Sequence, residues 1–134
     1  MANSTEPDIL DRWKLSDAWE TYRVHEWGKG YFGINENGNV TVLPTKDPNA
    51  TIDLKDLIDQ LQARGIQLPI LVRFTDILRH RVAEIHSAFQ KAIEENEYSG
   101  NYACVYPIKV NQQKQVVEEI LDFGDRKSTR LNSS

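Results

Sequence analysis

The sequence predicts an α/β fold, in which a β-hairpin precedes the opening portion of a larger α/β domain. Three observations support this: an Asn-Gly dipeptide between alternating apolar residues, apolar residues recurring every three or four positions, and two short apolar runs. From residue 51 onward the predicted order is helix, strand, helix, strand, helix, which is typical of parallel strands with helices outside them. Two strands cannot close a barrel, so the pattern predicts that this sequence contains only the first part of a larger α/β domain.

The first 44 residues are predicted to contain one hairpin. Residues 1–20 are polar and are expected to be loosely ordered, with a short helix near Ser16–Tyr22. Residues 21–44 are the hairpin segment, because Asn37-Gly38 lies between two stretches in which apolar residues alternate with others. Asn and Gly tolerate the positive φ angles of tight hairpin turns, which makes this pattern the strongest short-range hairpin signal. The alternating apolar positions are Phe32, Ile34, Val40 and Val42.

Residues 51–124 are predicted to start the α/β domain, with three amphipathic helices. The first is expected to end in a left-handed cap at Gly65, and the second to begin with Thr75 as its cap and to end at Ser99-Gly100. Apolar residues recur at helical spacing in each stretch and therefore share one face. They are Leu54, Leu57, Ile58 and Leu61; Leu78, Val82, Ile85, Phe89 and Ile93; and Val116, Val117, Ile120 and Leu121.

Two continuous apolar runs, LPILVRF (68–74) and YACVYPIKV (102–110), are predicted to be buried strands. Lys109 comes at the end of the second run, and the carboxyl ends of parallel barrel strands are where functional groups gather. Desolvation can leave such a lysine uncharged and free to form a Schiff base, as enzymes that use pyridoxal phosphate (PLP) require. An ordinary solvated lysine is the alternative interpretation.

The last ten residues, DRKSTRLNSS (125–134), differ from everything before them. Apolar periodicity ends and basic and hydroxyl residues dominate. We predict that this tail is non-native, because it resembles a translated library adapter. A disordered native terminus is the alternative.

Composition limits the classes of function. The 134 residues are 40% hydrophobic and 27% charged, as in a globular protein, and the net charge of −4 favours neither nucleic acid nor an anionic membrane as a partner. A single cysteine, Cys104, cannot form an internal disulfide. The sequence contains no apolar run of signal-peptide or membrane-spanning length, so we expect a cytoplasmic location.

Three segments resemble a known family, the biosynthetic arginine decarboxylases. YPIKVNQQKQVVEEILDFG (106–124) is similar to the segment that carries the cofactor lysine in these PLP enzymes of the alanine-racemase-like barrel class. WGKGYFGINENG (27–38) and IDLKDLIDQLQARGIQLPILVRFTDILRHRV (52–82) resemble further stretches of the same family, in the same order. The resemblance extends from about Leu15 to Gly124.

The resemblance implies a PLP-binding (β/α)8 barrel that starts at residues 51–124, and a hairpin that joins a β domain located further along the chain. It implies decarboxylation of L-arginine to agmatine and CO2, a lyase reaction that feeds polyamine (spermidine) biosynthesis. Lys109 would be both the catalytic residue and the PLP anchor. Magnesium is also implied, with ligands unknown, as is a homo-oligomer at full length. Because the phosphate-binding and guanidinium-reading groups would lie downstream, this chain is expected to be an inactive fragment.

Two other functions remain open from the sequence. One is a non-catalytic, PLP-binding or regulatory relative of the same fold, and the other is a stand-alone α/β interaction module in which Lys109 is an ordinary residue. Asn111 and Gln112 could line a cofactor pocket, although we favour a role in capping the helix that follows them. His80 and His86 are six residues apart, do not share a helix face and make poor joint metal ligands.

Overall fold

A computed structural model describes residues 12–127 and 129–132 and divides the chain into two compact units, one ending at Leu71 and the other starting at Val72. Residues 1–11 of the predicted loose N-terminus lie outside the described residues. So do residues 128 and 133–134 of the predicted tail. Among the residues that are described, no helix combines the length and the apolar character needed to cross a membrane.

The first unit combines helices with a small antiparallel sheet. Its elements in chain order are α1 (Leu15–Thr21), α2 (Val24–Gly28), β1 (Phe32–Ile34), β2 (Val40–Val42), β3 (Ile52–Asp53) and α3 (Leu54–Ala63). Strand β2 is central and pairs with β1 through Phe32 and Val42 and with β3 through Val42 and Ile52. Val24, Tyr31 and Val42 are buried at the core of this unit.

The side chain of Asn35 stabilises the turn that joins β1 and β2. Its Oδ1 accepts hydrogen bonds from the backbone N–H groups of Asn37 (3.1 Å) and Asn39 (2.9 Å). Gly38 has a φ of +79°, a conformation that costs glycine little because it has no Cβ. The Asn-Gly dipeptide singled out in the sequence therefore lies in this turn.

Helix α3 has well-defined ends. Asp53 is its N-cap, and Oδ1 of Asp53 accepts the N–H groups of Lys55 (2.8 Å) and Asp56 (3.2 Å). At the other end Gly65 has a φ of +85°, and its N–H and that of Ile66 bond back to the carbonyls of Gln62 (2.9 Å) and Leu61 (3.1 Å). This is a Schellman motif, and it confirms the predicted left-handed cap at Gly65.

The second unit contains a strand–helix–strand arrangement. Its elements are α4 (Thr75–Glu95), β4 (Cys104–Pro107), a 3₁₀ turn (Ile108–Val110), α5 (Lys114–Lys127) and β5 (Thr129–Asn132). Strands β4 and β5 are parallel, with α5 as the crossover that parallel pairing requires. Val116 and Ile120 on α5 are buried, so the predicted apolar face of this helix points inward.

The predicted strand LPILVRF is not formed. Residues 70–74 have no regular secondary structure, and Leu71 is 79% exposed. A strand exists only where a neighbour accepts and donates its backbone hydrogen bonds, and in the described part of the chain β4 pairs with β5 and with no other strand. The apolar character of residues 68–74 does not by itself show whether a neighbouring strand is available to pair with them.

Both predicted ends of α4 are wrong. Thr75 is the first helical residue and not the cap, because Phe74 occupies the N-cap position without a side-chain cap hydrogen bond. The helix ends at Glu95, before Ser99-Gly100. Glu97 takes the left-handed conformation (φ 50°), and the N–H of Tyr98 bonds to the carbonyl of Ile93 at 3.0 Å, which closes a Schellman motif early.

The region after residue 100 also departs from the prediction. Strand β4 is shorter than 102–110, and Val105 is 53% exposed, because parallel strands become buried only when helices cover both faces of the sheet. Helix α5 continues past Gly124 to Lys127. Residues 129–132, predicted to lack regular structure, form β5 through backbone bonds to β4. Whether they are native stays a prediction.

Candidate functional site

Lys109 occupies the 3₁₀ turn that directly follows β4. It therefore lies at the carboxyl end of a strand in a parallel pair, the position at which catalytic groups collect in α/β barrels. Its side chain is exposed, and no hydrogen bond or ion pair joins its Nζ to another of the described residues. A free primary amine at this position can react with an aldehyde.

The described residues around Lys109 do not form a closed pocket. The neighbouring Val110 is 72% exposed, and Pro107 is exposed as well. From the sequence we expected the apolar run that precedes Lys109 to keep water away from its amine. The described residues instead leave the Lys109 side chain open to water. Residues that enclose a cofactor at Lys109 would have to come from outside the described part of the chain.

Three linked hydrogen bonds lie next to the 3₁₀ turn that carries Lys109. Tyr106 Oη donates to the carbonyl of Asn111 at 3.3 Å, and Asn111 Oδ1 accepts the N–H of Gln113 at 3.0 Å. Gln113 Oε1 in turn accepts a hydrogen bond from Nη2 of Arg73. Asn111 thus organises the backbone just before α5, three residues ahead of Lys114, as an Asx turn and not as the helix cap itself. Gln112 is exposed.

A second contact fixes α5 against α4. Arg79 donates from Nε and Nη2 to the two carboxylate oxygens of Glu119, at 2.6 and 3.0 Å. Glu119 is 19% exposed, and these hydrogen bonds and its charge raise the pKa of the Arg79 guanidinium. Neither this pair nor the pair of Arg73 and Gln113 has a local sequence signal, because forty residues separate the partners in both.

Magnesium, which the family resemblance implies, has no evident ligand set among the described residues. The described residues contain no group of three or more His, Cys, Asp or Glu side chains that could hold a metal ion. His80 lies 3.9 Å from Glu84, whereas the ring of His86 meets Tyr102 edge-on, so the two histidines serve different contacts.

The residues at the Lys109 turn fit PLP in one respect. The accessible Nζ at the strand end suits the covalent anchor that the cofactor needs. Groups for the phosphate and the ring nitrogen cannot be assigned among the described residues.

Comparison with known proteins gives one consistent result. No protein-family model matches the chain. Similar curated proteins include the biosynthetic arginine decarboxylases of Rhodopirellula baltica (49% identical over 119 residues), Gloeobacter violaceus (47% over 115) and Aeromonas hydrophila (49% over 112). These alignments cover 88%, 86% and 83% of this chain.

The crystal structure of the biosynthetic arginine decarboxylase from Campylobacter jejuni is also similar. The TM-score is 0.69 at 29% identity, over 82% of this chain and 18% of that one. The chain likewise spans about 18% of the length of the curated relatives named above. These matches confirm the resemblance that three sequence segments indicated, and they support the mixed helix and strand architecture.

Proposed function

We propose that this chain, which is homologous to part of the biosynthetic arginine decarboxylases, belongs to a protein that converts L-arginine to agmatine and CO2 with PLP bound at Lys109. The relatives named biosynthetic arginine decarboxylase, which are 47–49% identical to this chain, support the proposed activity. The observation that carries the site assignment is the exposed side chain of Lys109 at the carboxyl end of β4.

Lys109 would act through its amine. Bound PLP supplies an electron sink for the pair left on Cα when CO2 departs. Nζ of Lys109 would be the atom that holds the cofactor covalently. Formation of that bond requires the neutral amine, so the rest of the barrel is proposed to exclude water from a side chain that the described residues leave exposed.

The remaining features of the proposal follow from the same relationship. We propose that residues 51–124 begin a PLP-binding (β/α)8 barrel and that the hairpin at 21–44 packs on a β domain of the complete protein. The complete protein would be a cytoplasmic homo-oligomer that uses magnesium and supports polyamine (spermidine) biosynthesis. The chain alone would be inactive, because catalysis in such barrels draws on the ends of several strands.

The assay for this proposal is release of agmatine and CO2 from L-arginine by the complete protein. We expect activity that depends on added PLP and falls to background in Lys109→Ala. Lys114→Ala is the matched control, because Lys114 lies five residues further on, is exposed and pairs with Glu118 at 3.5 Å. It should retain wild-type activity.

Each alternative gives a different result in the same assay. A non-catalytic relative would bind PLP at Lys109 and release no agmatine. An interaction module would bind no PLP, and Lys109→Ala would leave its folding and partner binding unchanged. Either outcome contradicts the proposed activity.

A further inference from the structure

We propose that Arg73 is a positioning residue for Lys109, which it holds indirectly through Gln113 and Asn111. This inference rests on the proposed function, because it concerns the amine assigned there to the cofactor. The four linked residues Arg73, Gln113, Asn111 and Tyr106 are called the turn bracket below.

Two members of the turn bracket, Tyr106 and Asn111, flank Lys109 in the sequence and are hydrogen-bonded to each other. The hydrogen bond from Tyr106 Oη to the carbonyl of Asn111 spans the residues between them, including the whole 3₁₀ turn. Both atoms are half-buried, so water competes less for this bond than for one on the open surface. The backbone that carries Lys109 is thus held at its start and at its end.

The next link fixes the direction in which the chain leaves the turn. Asn111 Oδ1 accepts the N–H of Gln113, and the carbonyl of Gln113 then accepts the N–H groups of Val116 (2.9 Å) and Val117 (3.1 Å). Gln113 therefore joins the turn to the first turn of α5. This hydrogen bond connects the backbone of Gln113 to the side chain of Asn111.

Arg73 secures Gln113 from a distant part of the sequence. Its Nη2 donates to Oε1 of Gln113, forty residues further along the chain. Arg73 precedes α4, so this bond connects the Lys109 turn to the segment that leads into that helix. A guanidinium presents several donors in a fixed plane, which an amine at the same place does not.

The packing of α5 does not itself need Arg73. The bidentate pair of Arg79 with Glu119 joins α5 to α4, and Val116 and Ile120 bury the inner face of α5. The bond from Arg73 acts on the residue immediately before this helix. Its effect should therefore be local to the Lys109 turn.

The first test measures amide hydrogen exchange in this chain. Arg73→Gln should increase the exchange rate of the Gln113 amide about fivefold, as expected when one hydrogen bond that supports it is lost. Arg73→Lys should restore part of the protection. The matched control is Arg81→Gln, on α4, where Arg81 pairs with Glu84 on the same helix at 3.0 Å. It should leave the Gln113 amide unchanged.

The second test uses the complete protein loaded with PLP. Arg73→Gln should keep the cofactor on Lys109 but lower the circular dichroism of the cofactor absorption band and reduce kcat about fivefold, with KM for L-arginine unchanged. Combining it with Gln113→Ala should add no further loss, because both substitutions break the same link.

Some results would overturn the inference. If Arg73→Gln lowers the melting temperature and leaves the Gln113 exchange rate and the cofactor dichroism unchanged, Arg73 has a structural role alone. If wild-type complete protein places no PLP on Lys109, the proposed function fails, and a normal Gln113 exchange rate in Arg73→Gln would separately reject the turn bracket.

Discussion

Asp53 shows how one side chain can join two elements. Oδ1 caps α3, while Oδ2 accepts hydrogen bonds from the side-chain amides of Asn35 (2.6 Å) and Asn39 (2.9 Å) in the hairpin turn. The hydrogen bond from Asn39, with smaller contributions from the Lys55 and Asp56 N–H groups and Asn35, lowers the pKa of Asp53 against the opposing effect of desolvation. A lowered pKa means that folding favours the ionised form.

We expect Asp53→Ala to lower the melting temperature by about 4–8 °C at pH 7, since it removes a helix cap from a small domain. The matched control is Asp59→Ala, which removes the exposed ion pair with Lys55 and should change the melting temperature by less than about 2 °C. Thermal unfolding followed by circular dichroism measures both. Equal effects of the two substitutions would contradict the role of Asp53.

The same residue gives a pH dependence with a definite sign. Because the folded pKa lies below the unfolded value of about 3.9, the ionised Asp53 contributes its stability above that pH. The contribution is lost as pH falls through the lowered pKa. The difference in melting temperature between wild type and Asp53→Ala should therefore shrink on acidification from pH 5 to about pH 2, and a constant difference would contradict this account.

At the level of elements, two helices end in the same motif with different residues. α3 ends with Gly65 in the left-handed conformation and α4 with Glu97, which must hold its Cβ in a region that favours glycine. Gly65→Ala should reduce the free energy of unfolding by about 1 kcal/mol, whereas Glu97→Gly should raise it by about 0.5 kcal/mol. Urea denaturation of the two variants measures these changes. A stabilising Gly65→Ala would contradict the cap assignment.

Helix α5 is held by a few buried side chains. Ile120 is 2% exposed, so Ile120→Ala should cost about 2–4 kcal/mol of unfolding free energy through lost burial and a cavity. The control is Leu121→Ala on the same helix, where the side chain is 39% exposed and the cost should stay below about 1.5 kcal/mol. Urea denaturation compares them, and equal costs would mean that α5 buries a different face.

Periodic patterns predicted elements better than single apolar runs did. The helices around Leu57, Val82 and Val116 appeared where spacing placed them, because one face of a helix is encoded within a few turns of sequence. The run LPILVRF failed because a strand depends on a partner elsewhere in the chain. The placement of Lys109 after β4 followed from the sequence, but the bond from Arg73 to Gln113 arises from folding and had no local signature.

At the scale of the whole molecule, the chain exposes apolar side chains that the proposed barrel would cover. Among the described residues, the most exposed large aliphatic side chains are Leu71, Val110, Leu68 and Val105. Exposed apolar side chains bind hydrophobic dyes and promote association. We expect this chain to enhance the fluorescence of anilinonaphthalene sulfonate several-fold more per residue than the complete protein does. Equal enhancement would mean that the complete protein leaves these residues uncovered.

The proposed activity depends on a covalent bond between Lys109 and PLP. Its most direct test is reduction of the PLP-loaded complete protein with borohydride, followed by digestion and mass spectrometry of the labelled peptide. We predict a single stoichiometric pyridoxyl label on the lysine of YPIKVNQQ. Stable labelling of another lysine, with Lys109 unmodified, would contradict the central claim.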